Sequence, residues 1–343
     1  MTPCPFCSQD LFADIEPAKP SQLIGCHGCA NILQVRWEDE KLHVIHMEGI
    51  DTIGEMAPAG SVMAGVFKIL DRVVSEMPVP PEIPQRMLSL LHDPLTSMAD
   101  LANIINEDAM ISMKVLKMAN SAYYASAHEI TDLQNACARL GMKTIGNIAH
   151  TVSNNNLYKS SEPKFRGIMN QLWQHGIATA HCAEQISAYT PSIDPAMPFV
   201  AGLIHDTGKL VLLDTLTTKY RGNIGRLRES PQLMVRVLNR FYPHVGLHVV
   251  QFWKMPVEFG YSTFFNFRPE QTPESLWTPL THLVALASAL ADSCGFGVGD
   301  ADPPDIAGHP SAATLGISDE QLVALHDQLA EPLDSMVSIL SVA

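Results

Sequence analysis

The sequence contains no long apolar run. No stretch approaches 18 residues without a charged or polar break, so a transmembrane helix is not expected. Met1-Thr2-Pro3-Cys4 offers neither a basic region nor an apolar one. A secretory leader is therefore not expected, and the chain reads as cytoplasmic with no membrane partner. There is no glycine-rich phosphate loop, and no β-type alternation of any length after Met47. Both absences argue against a dinucleotide-binding or P-loop enzyme. Basic residues are scarce: 22 Lys and Arg stand against 36 Asp and Glu, a net charge of -14. That balance repels a phosphate backbone, so nucleic acid is not expected as the main partner. The one basic cluster, Lys159, Lys164 and Arg166, reads as a solvated loop.

Seven cysteines are present. Cys137, Cys182 and Cys294 are scattered through apolar helical sequence and read as buried, reduced thiols. The other four form two close pairs, Cys4-Pro5-Phe6-Cys7 and Cys26-His27-Gly28-Cys29. Two thiolates three residues apart grip one metal from a tight turn. Two such turns supply the four soft ligands of a tetrahedral zinc site. Ile32 to Trp37 and Leu42 to Met47, around the polar Glu38-Asp39-Glu40-Lys41, read as a β-hairpin. So short a segment cannot bury much surface, and a structural zinc on Cys4, Cys7, Cys26 and Cys29 would supply what the core lacks. The competing reading is a thiol-redox site at Cys4-Pro5-Phe6-Cys7. That chemistry needs a strand before the motif and a long helix after it, whereas Glu16, Pro17 and Pro20 soon follow. His27, His43 and His46 are nearby candidate ligands, but four cysteines already complete the shell.

Residues 1–48 are thus expected to form a small zinc-ribbon-like domain, and 49–61, with Gly54, Pro58 and Gly60, a linker. From Val62 onward the apolar residues recur at helical spacing. Helices are expected over 62–74, 83–91, 108–119, 130–140, 142–156, 167–189, 199–216, 232–240, 245–254, 280–293 and 318–340. Ser97 with Asp100 in the capping-box position opens a further helix. The fold class is therefore mainly α: one all-helical domain over 62–343, closed by the helix at 318–340. Leu322, Leu325, Leu329, Leu333 and Val337 would pack that last helix on the body.

His205-Asp206 lies inside the apolar segment Phe199 to Leu210. Imidazole nitrogen and carboxylate oxygen together suit a divalent ion. His175, on an earlier helix, is placed to converge on the same point. Without further context a buried, hydrogen-bonded pair explains the dipeptide equally well.

The surrounding segments are more specific. Met77-Pro78-Val79-Pro80-Pro81-Glu82-Ile83-Pro84 precedes Met87 to Pro94. Asp108 is followed by Leu116-Lys117-Met118-Ala119-Asn120-Ser121-Ala122-Tyr123-Tyr124. Ile130 to Ala136, Leu140-Gly141, Trp173 with His175, His205-Asp206, and Val245-Gly246 through Trp253-Lys254-Met255-Pro256 come in that order. In these segments the chain resembles the HDOD family, regulatory relatives of the HD-type metal-dependent phosphohydrolases. The resemblance runs from about Val62 to Leu340 and implies an all-helical domain working in bacterial signal transduction.

The resemblance also implies ligands that this chain lacks. Ser288 stands where catalytic relatives carry an aspartate on a late helix, and Tyr242 stands where a histidine is common. Phe259 to Arg268 has no histidine. Asp292, one turn beyond Ser288, would replace the aspartate only if the register were shifted. His175, His205 and Asp206 then remain as a vestigial site for a second divalent metal. No catalytic residue is assigned. The expected function is a non-catalytic signalling or scaffold role through contacts with other signalling proteins, with a small ligand in the helical cleft as an additional partner. One alternative is a metal-dependent phosphohydrolase acting on a nucleotide or cyclic dinucleotide, with Lys209 near the phosphate. Another is a nucleic-acid-binding regulator using the zinc knuckles, where Arg36, Trp37 and Lys41 face Glu38, Asp39, Glu40 and Glu48 in number.

Overall fold

A computed structural model of the chain describes the backbone of 21–25, 32–38 and 41–46, isolated positions between 97 and 105, and 109–124, 129–154, 163–219, 230–253, 255–272, 278–299 and 303–341. The knuckle residues Cys4, Cys7, Cys26 and Cys29, and the helices expected at 62–74 and 83–91, lie outside the described residues.

Three strands, β1 (Ser21–Gly25), β2 (Ile32–Glu38) and β3 (Lys41–His46), form one antiparallel sheet in the order β1-β2-β3. Glu38 pairs with Lys41 at the close of the β2–β3 register. The pairing of β1 with β2 was not legible in the sequence, because Ser21-Gln22-Leu23-Ile24-Gly25 is too short to show a period.

All other described elements are helical. They are α1 (Ala109–Ala119), α2 (Leu133–Asn154), α3 (Arg166–Ile186), α4 (Met197–Ile204) and α5 (Thr207–Asp214). There follow α6 (Pro231–Phe252), α7 (Val257–Phe265), α8 (Thr278–Ala291), α9 (Pro310–Leu315) and α10 (Asp319–Ser341). Near Ser97 the capping box forms as expected: the Asp100 N–H donates to Ser97 Oγ at 3.2 Å, and the Ser97 N–H donates to Asp100 Oδ2 at 2.9 Å. Gly141, at φ 78°, breaks α2 between the two helices expected there.

Three expectations are corrected. The helix expected over 199–216 is two helices, α4 and α5, with His205-Asp206 at the break. The His205 ring nitrogen Nδ1 donates to the Gly202 carbonyl at 2.6 Å. That carbonyl would otherwise take the Asp206 N–H in an unbroken helix, so the ring competes with the backbone. Conversely, the two helices expected at 232–240 and 245–254 are one 22-residue helix, α6, which accommodates Pro243. Proline removes one backbone bond, but packing of the flanking turns holds the helix together. Finally, α7 and α9 were not expected as helices at all.

Backbone packing divides the chain into two compact units, Met1–Met77 with Thr207–Thr281, and Pro78–Asp206 with His282–Ala343. In the first, α5 and α7 pack on α6 through Leu210, Leu213, Phe241, Val245, Tyr261 and Phe264, all buried. The Tyr242 hydroxyl donates to Asn266 Oδ1 at 3.0 Å, and Lys209 Nζ sits 4.5 Å from the centre of the Tyr242 ring.

In the second unit α3 is the central helix, buried on most sides by Trp173, Ile177, Ala180, Cys182 and Ile186. Helix α4 packs against it backbone to backbone: a Cβ on Gly202 would lie 2.8 Å from Ala180 Cα. Helix α10 covers another side of α3, burying Leu322, Leu325, Leu329, Leu333 and Val337 as their spacing predicts. Its C-terminal end is held by Lys114 of α1, whose Nζ donates to the carbonyls of Ile339 at 2.6 Å and Leu340 at 3.1 Å.

Candidate functional site

Three side chains of the second unit converge. His175 comes from the middle of α3, and His205 and Asp206 from the break after α4. Their ligand atoms all lie within 4.8 Å of one another. The break explains how adjacent residues meet. Within a straight helix successive side chains point about 100° apart, whereas here the chain leaves helical continuity at this pair. All three are buried, at 3% exposure for His175, 1% for His205 and 4% for Asp206.

The hydrogen bonds decide which ring nitrogens face inward. His175 Nδ1 lies 3.0 Å from the Phe296 carbonyl and 3.2 Å from Asp292 Oδ1. A carbonyl only accepts, so Nδ1 carries the proton. The same holds for His205, whose Nδ1 donates to Gly202. With Nδ1 of each ring committed to a carbonyl, both Nε2 atoms face the cluster, and they are 3.2 Å apart. Asp206 adds carboxylate oxygens 3.7 Å from His175 Nε2 and 3.5 Å from His205 Nε2.

Two imidazole nitrogens and a carboxylate gathered at one point are a ligand set suited to a cation. A divalent ion with bonds of about 2.1 Å and angles between about 90° and 109° requires nitrogens roughly 3.0–3.4 Å apart. The observed spacing falls in that range. The residues present thus fit a divalent ion held by His175 Nε2, His205 Nε2 and Asp206.

The late helix settles the register. Ser288 of α8 points its Oγ at His175 Nε2, 3.3 Å away. Asp292 touches the opposite nitrogen, Nδ1. It therefore supports the ring from behind and does not replace a missing ligand. The sequence singled out Ser288, which lies beside His175, and left Asp292 open. It missed Thr179, whose Oγ1 is 3.5 Å from His175 Nε2. The signal was available, since Thr179 is one turn after His175 on the same face of α3. The Phe296 and Gly202 carbonyls carry no side-chain signal and were not legible.

Several sequence candidates are not part of this cluster. Tyr242 is buried with its hydroxyl committed to Asn266, and Lys209 lies over the Tyr242 ring. Apart from the cluster, the second unit carries an open groove of about 740 Å³ along α1, lined by Met113, Leu116, Lys117, Glu129 and Ile130 among others. Asn120 shapes its floor by bonding both backbone groups of Ile130. Among the described residues no helix is long and apolar enough to cross a membrane.

The HDOD domain profile matches residues 77–266, more than half of the chain. The chain belongs to the HDOD family. Three solved structures share the fold. An HDOD domain protein of unknown function from Geobacter sulfurreducens has 21% identity and a TM-score of 0.65, with 80% of this chain and 98% of that one covered. A protein from Marinobacter aquaeolei VT8, whose name proposes a role in signal transduction, has 18% identity and a TM-score of 0.60, covering 90% and 76%. One from Shewanella amazonensis SB2B, whose name proposes a metal-dependent phosphohydrolase, has 19% identity and a TM-score of 0.59, covering 80% and 96%. An uncharacterised protein of Treponema pallidum (strain Nichols) is 21% identical over an alignment of 219 positions that covers 61% of this chain. The chain spans 41% of the length of that relative. The profile match ends before Ser288, so the reading of the late helix rests on its geometry.

Proposed function

We propose that this HDOD protein is a non-catalytic signal-transduction or scaffold module of the cytoplasm, working through contacts with other signalling proteins. In this reading the cluster of His175, His205 and Asp206 is a binding centre for a divalent ion, and Cys4, Cys7, Cys26 and Cys29 hold a structural zinc. The groove along α1 is the place for a small ligand or a peptide of a partner.

One observation carries the reading. The late-helix side chain that faces the cluster is Ser288, a neutral hydroxyl, 3.3 Å from His175 Nε2. The nearby carboxylate, Asp292, supports the other side of the same ring. Hydrolysis at a metal centre requires a fixed shell, an activated water and charge set against the transition state. Here one carboxylate serves a centre in which every identified ligand is at most 4% exposed. That favours holding an ion over turning over a phosphoester.

The second reading, a phosphohydrolase for a nucleotide or cyclic dinucleotide, is favoured by the convergence of three ligand atoms within 4.8 Å. A hydrolysis screen separates the two. Wild-type protein and Asp206→Ala are supplied with Mn²⁺ or Mg²⁺ and offered nucleotides, cyclic dinucleotides and a generic phosphodiester. The binding reading predicts no difference between them. Turnover above about 0.1 per second that disappears in Asp206→Ala would establish an enzyme, since working enzymes commonly reach about 1 per second or more.

A further inference from the structure

Helix α8 ends in a π-helical turn, Asp292–Phe296. Its contacts run in two directions. Towards the cluster, the Phe296 carbonyl accepts from His175 Nδ1 at 3.0 Å, and Asp292 Oδ1 lies 3.2 Å from the same nitrogen. Just beyond the turn, the Gly299 N–H donates to Gln171 Oε1 at 3.3 Å. Gln171 is one turn before His175, so the segment is fastened to α3 at two successive levels. Away from the cluster, the Ser293 carbonyl accepts from His326 Nε2 of α10 at 3.4 Å. Ser293 Oγ donates back to Leu290 at 2.8 Å and holds the turn to α8.

The turn is thus the polar link between the back of a ligand histidine and the C-terminal helix. A metal-binding imidazole is sensitive to what its other nitrogen donates to, because that partner fixes ring orientation and raises ligand basicity. The dependence is reciprocal: whatever fixes His175 Nε2 also fixes the groups that Nδ1 grips. Helix α10 is well placed to register the change, being seated on α3 by its apolar face and held at its far end by Lys114.

We propose that the Asp292–Phe296 turn is a coupling element: it orients His175 for a divalent ion and transmits occupancy of the cluster to helix α10 through the Ser293 carbonyl and His326. Asp292 is a positioning residue in this scheme, and α10 is the output surface. The proposal rests on the reading of the cluster as an ion site and adds to it a route by which the ion is sensed.

The test uses the full chain and Mn²⁺, followed by the loss of the free-ion paramagnetic resonance signal, with hydrogen exchange measured in the same samples. In wild type, Mn²⁺ should slow exchange in 292–299 and in the first half of α10. Asp292→Ala should bind Mn²⁺ about 10- to 100-fold more weakly. Asp292→Asn retains an acceptor oxygen and should bind more tightly than Asp292→Ala. His326→Ala leaves the cluster intact, so it should bind Mn²⁺ within about threefold of wild type but lose the ion-dependent protection of α10. Thermal unfolding checks that each variant is folded. Wild-type affinity in Asp292→Ala, or full protection of α10 in His326→Ala, would overturn the coupling while leaving the ion site standing. Failure of wild type to take up Mn²⁺ would remove both.

Discussion

Gly202→Ala is the sharpest perturbation the fold offers, because one methyl group tests both packing and site. Gly202 lies where α4 crosses α3. An added Cβ would stand 2.8 Å from Ala180 Cα, 2.9 Å from the Thr179 carbonyl oxygen and 3.0 Å from the Ala180 nitrogen. Ordinary contact begins near 3.4 Å. The obstructing atoms are backbone and cannot rotate away, so the helices must part by about 0.6 Å or more. Overpacking of this kind costs about 1–3 kcal/mol, against which alanine's helix propensity returns up to about 1 kcal/mol. A net loss of about 1 kcal/mol, or a fall of about 2 °C in Tm, is expected. The Gly202 carbonyl also receives His205 Nδ1. Its displacement moves His205 Nε2 away from His175, and Mn²⁺ affinity should drop about tenfold. Gly167→Ala is the internal control: it lies on α3 with nothing within 4 Å of the new Cβ, and should leave both quantities unchanged or raise Tm slightly. Thermal unfolding by circular dichroism and Mn²⁺ titration give the two numbers. A Gly202→Ala protein as stable and as tight-binding as Gly167→Ala would refute the packing argument.

Other consequences are equally direct. Ser288→Asp places a carboxylate where Oγ now faces His175 Nε2, and should tighten Mn²⁺ binding at least about tenfold; unchanged affinity would mean that Ser288 does not face the ion. Burial holds the His181 imidazole down at about 4, with Glu184 pulling weakly the other way. The unfolded chain takes up that proton below its ordinary value of 6.5, so stability is fully present above pH 6.5 and falls as pH drops towards 4. The loss is on the order of 3 kcal/mol. Denaturant melts of wild type and His181→Gln across that window should differ in slope by about one proton, and equal slopes would count against it. Lys114→Met keeps the buried stem but removes the donor to the Ile339 and Leu340 carbonyls, and should cost about 1–2 kcal/mol in the same melts; no loss would mean the cap is idle. Elemental analysis should find about one zinc per chain, lost in Cys26→Ser; a full zinc content in that variant would exclude the four-cysteine site.

Much of the helical body was legible because its helices are amphipathic. The leucine ladder of α10, from Leu322 to Leu333, predicts its buried face residue by residue. Gly141 marked the kink in α2. The failures share a cause. Segment 199–216 is buried on nearly every side, so it has no polar stripe from which a helix end can be read. The break at His205-Asp206 comes from a ring-to-carbonyl bond that leaves no mark in composition. Helix α6 runs unbroken through Pro243, across the gap between the two helices expected at 232–240 and 245–254. At the site, the order of motifs located His175, His205, Asp206 and Ser288. The side of the His175 ring on which Asp292 lies depends on the π-helical turn after α8, which alters the rotation per residue. Helical spacing alone cannot supply it.

In the proposed reading His175 works from both sides, with an ion at Nε2 and support at Nδ1. Crystals of the full chain grown with Mn²⁺, with anomalous scattering recorded at the manganese edge, examine this directly. One anomalous peak is expected in the cluster, bonded to His175 Nε2, His205 Nε2 and Asp206, with Asp292 and the Phe296 carbonyl still beside His175 Nδ1. A peak coordinated by Asp292, or Mn²⁺ absent from the cluster altogether, would contradict it.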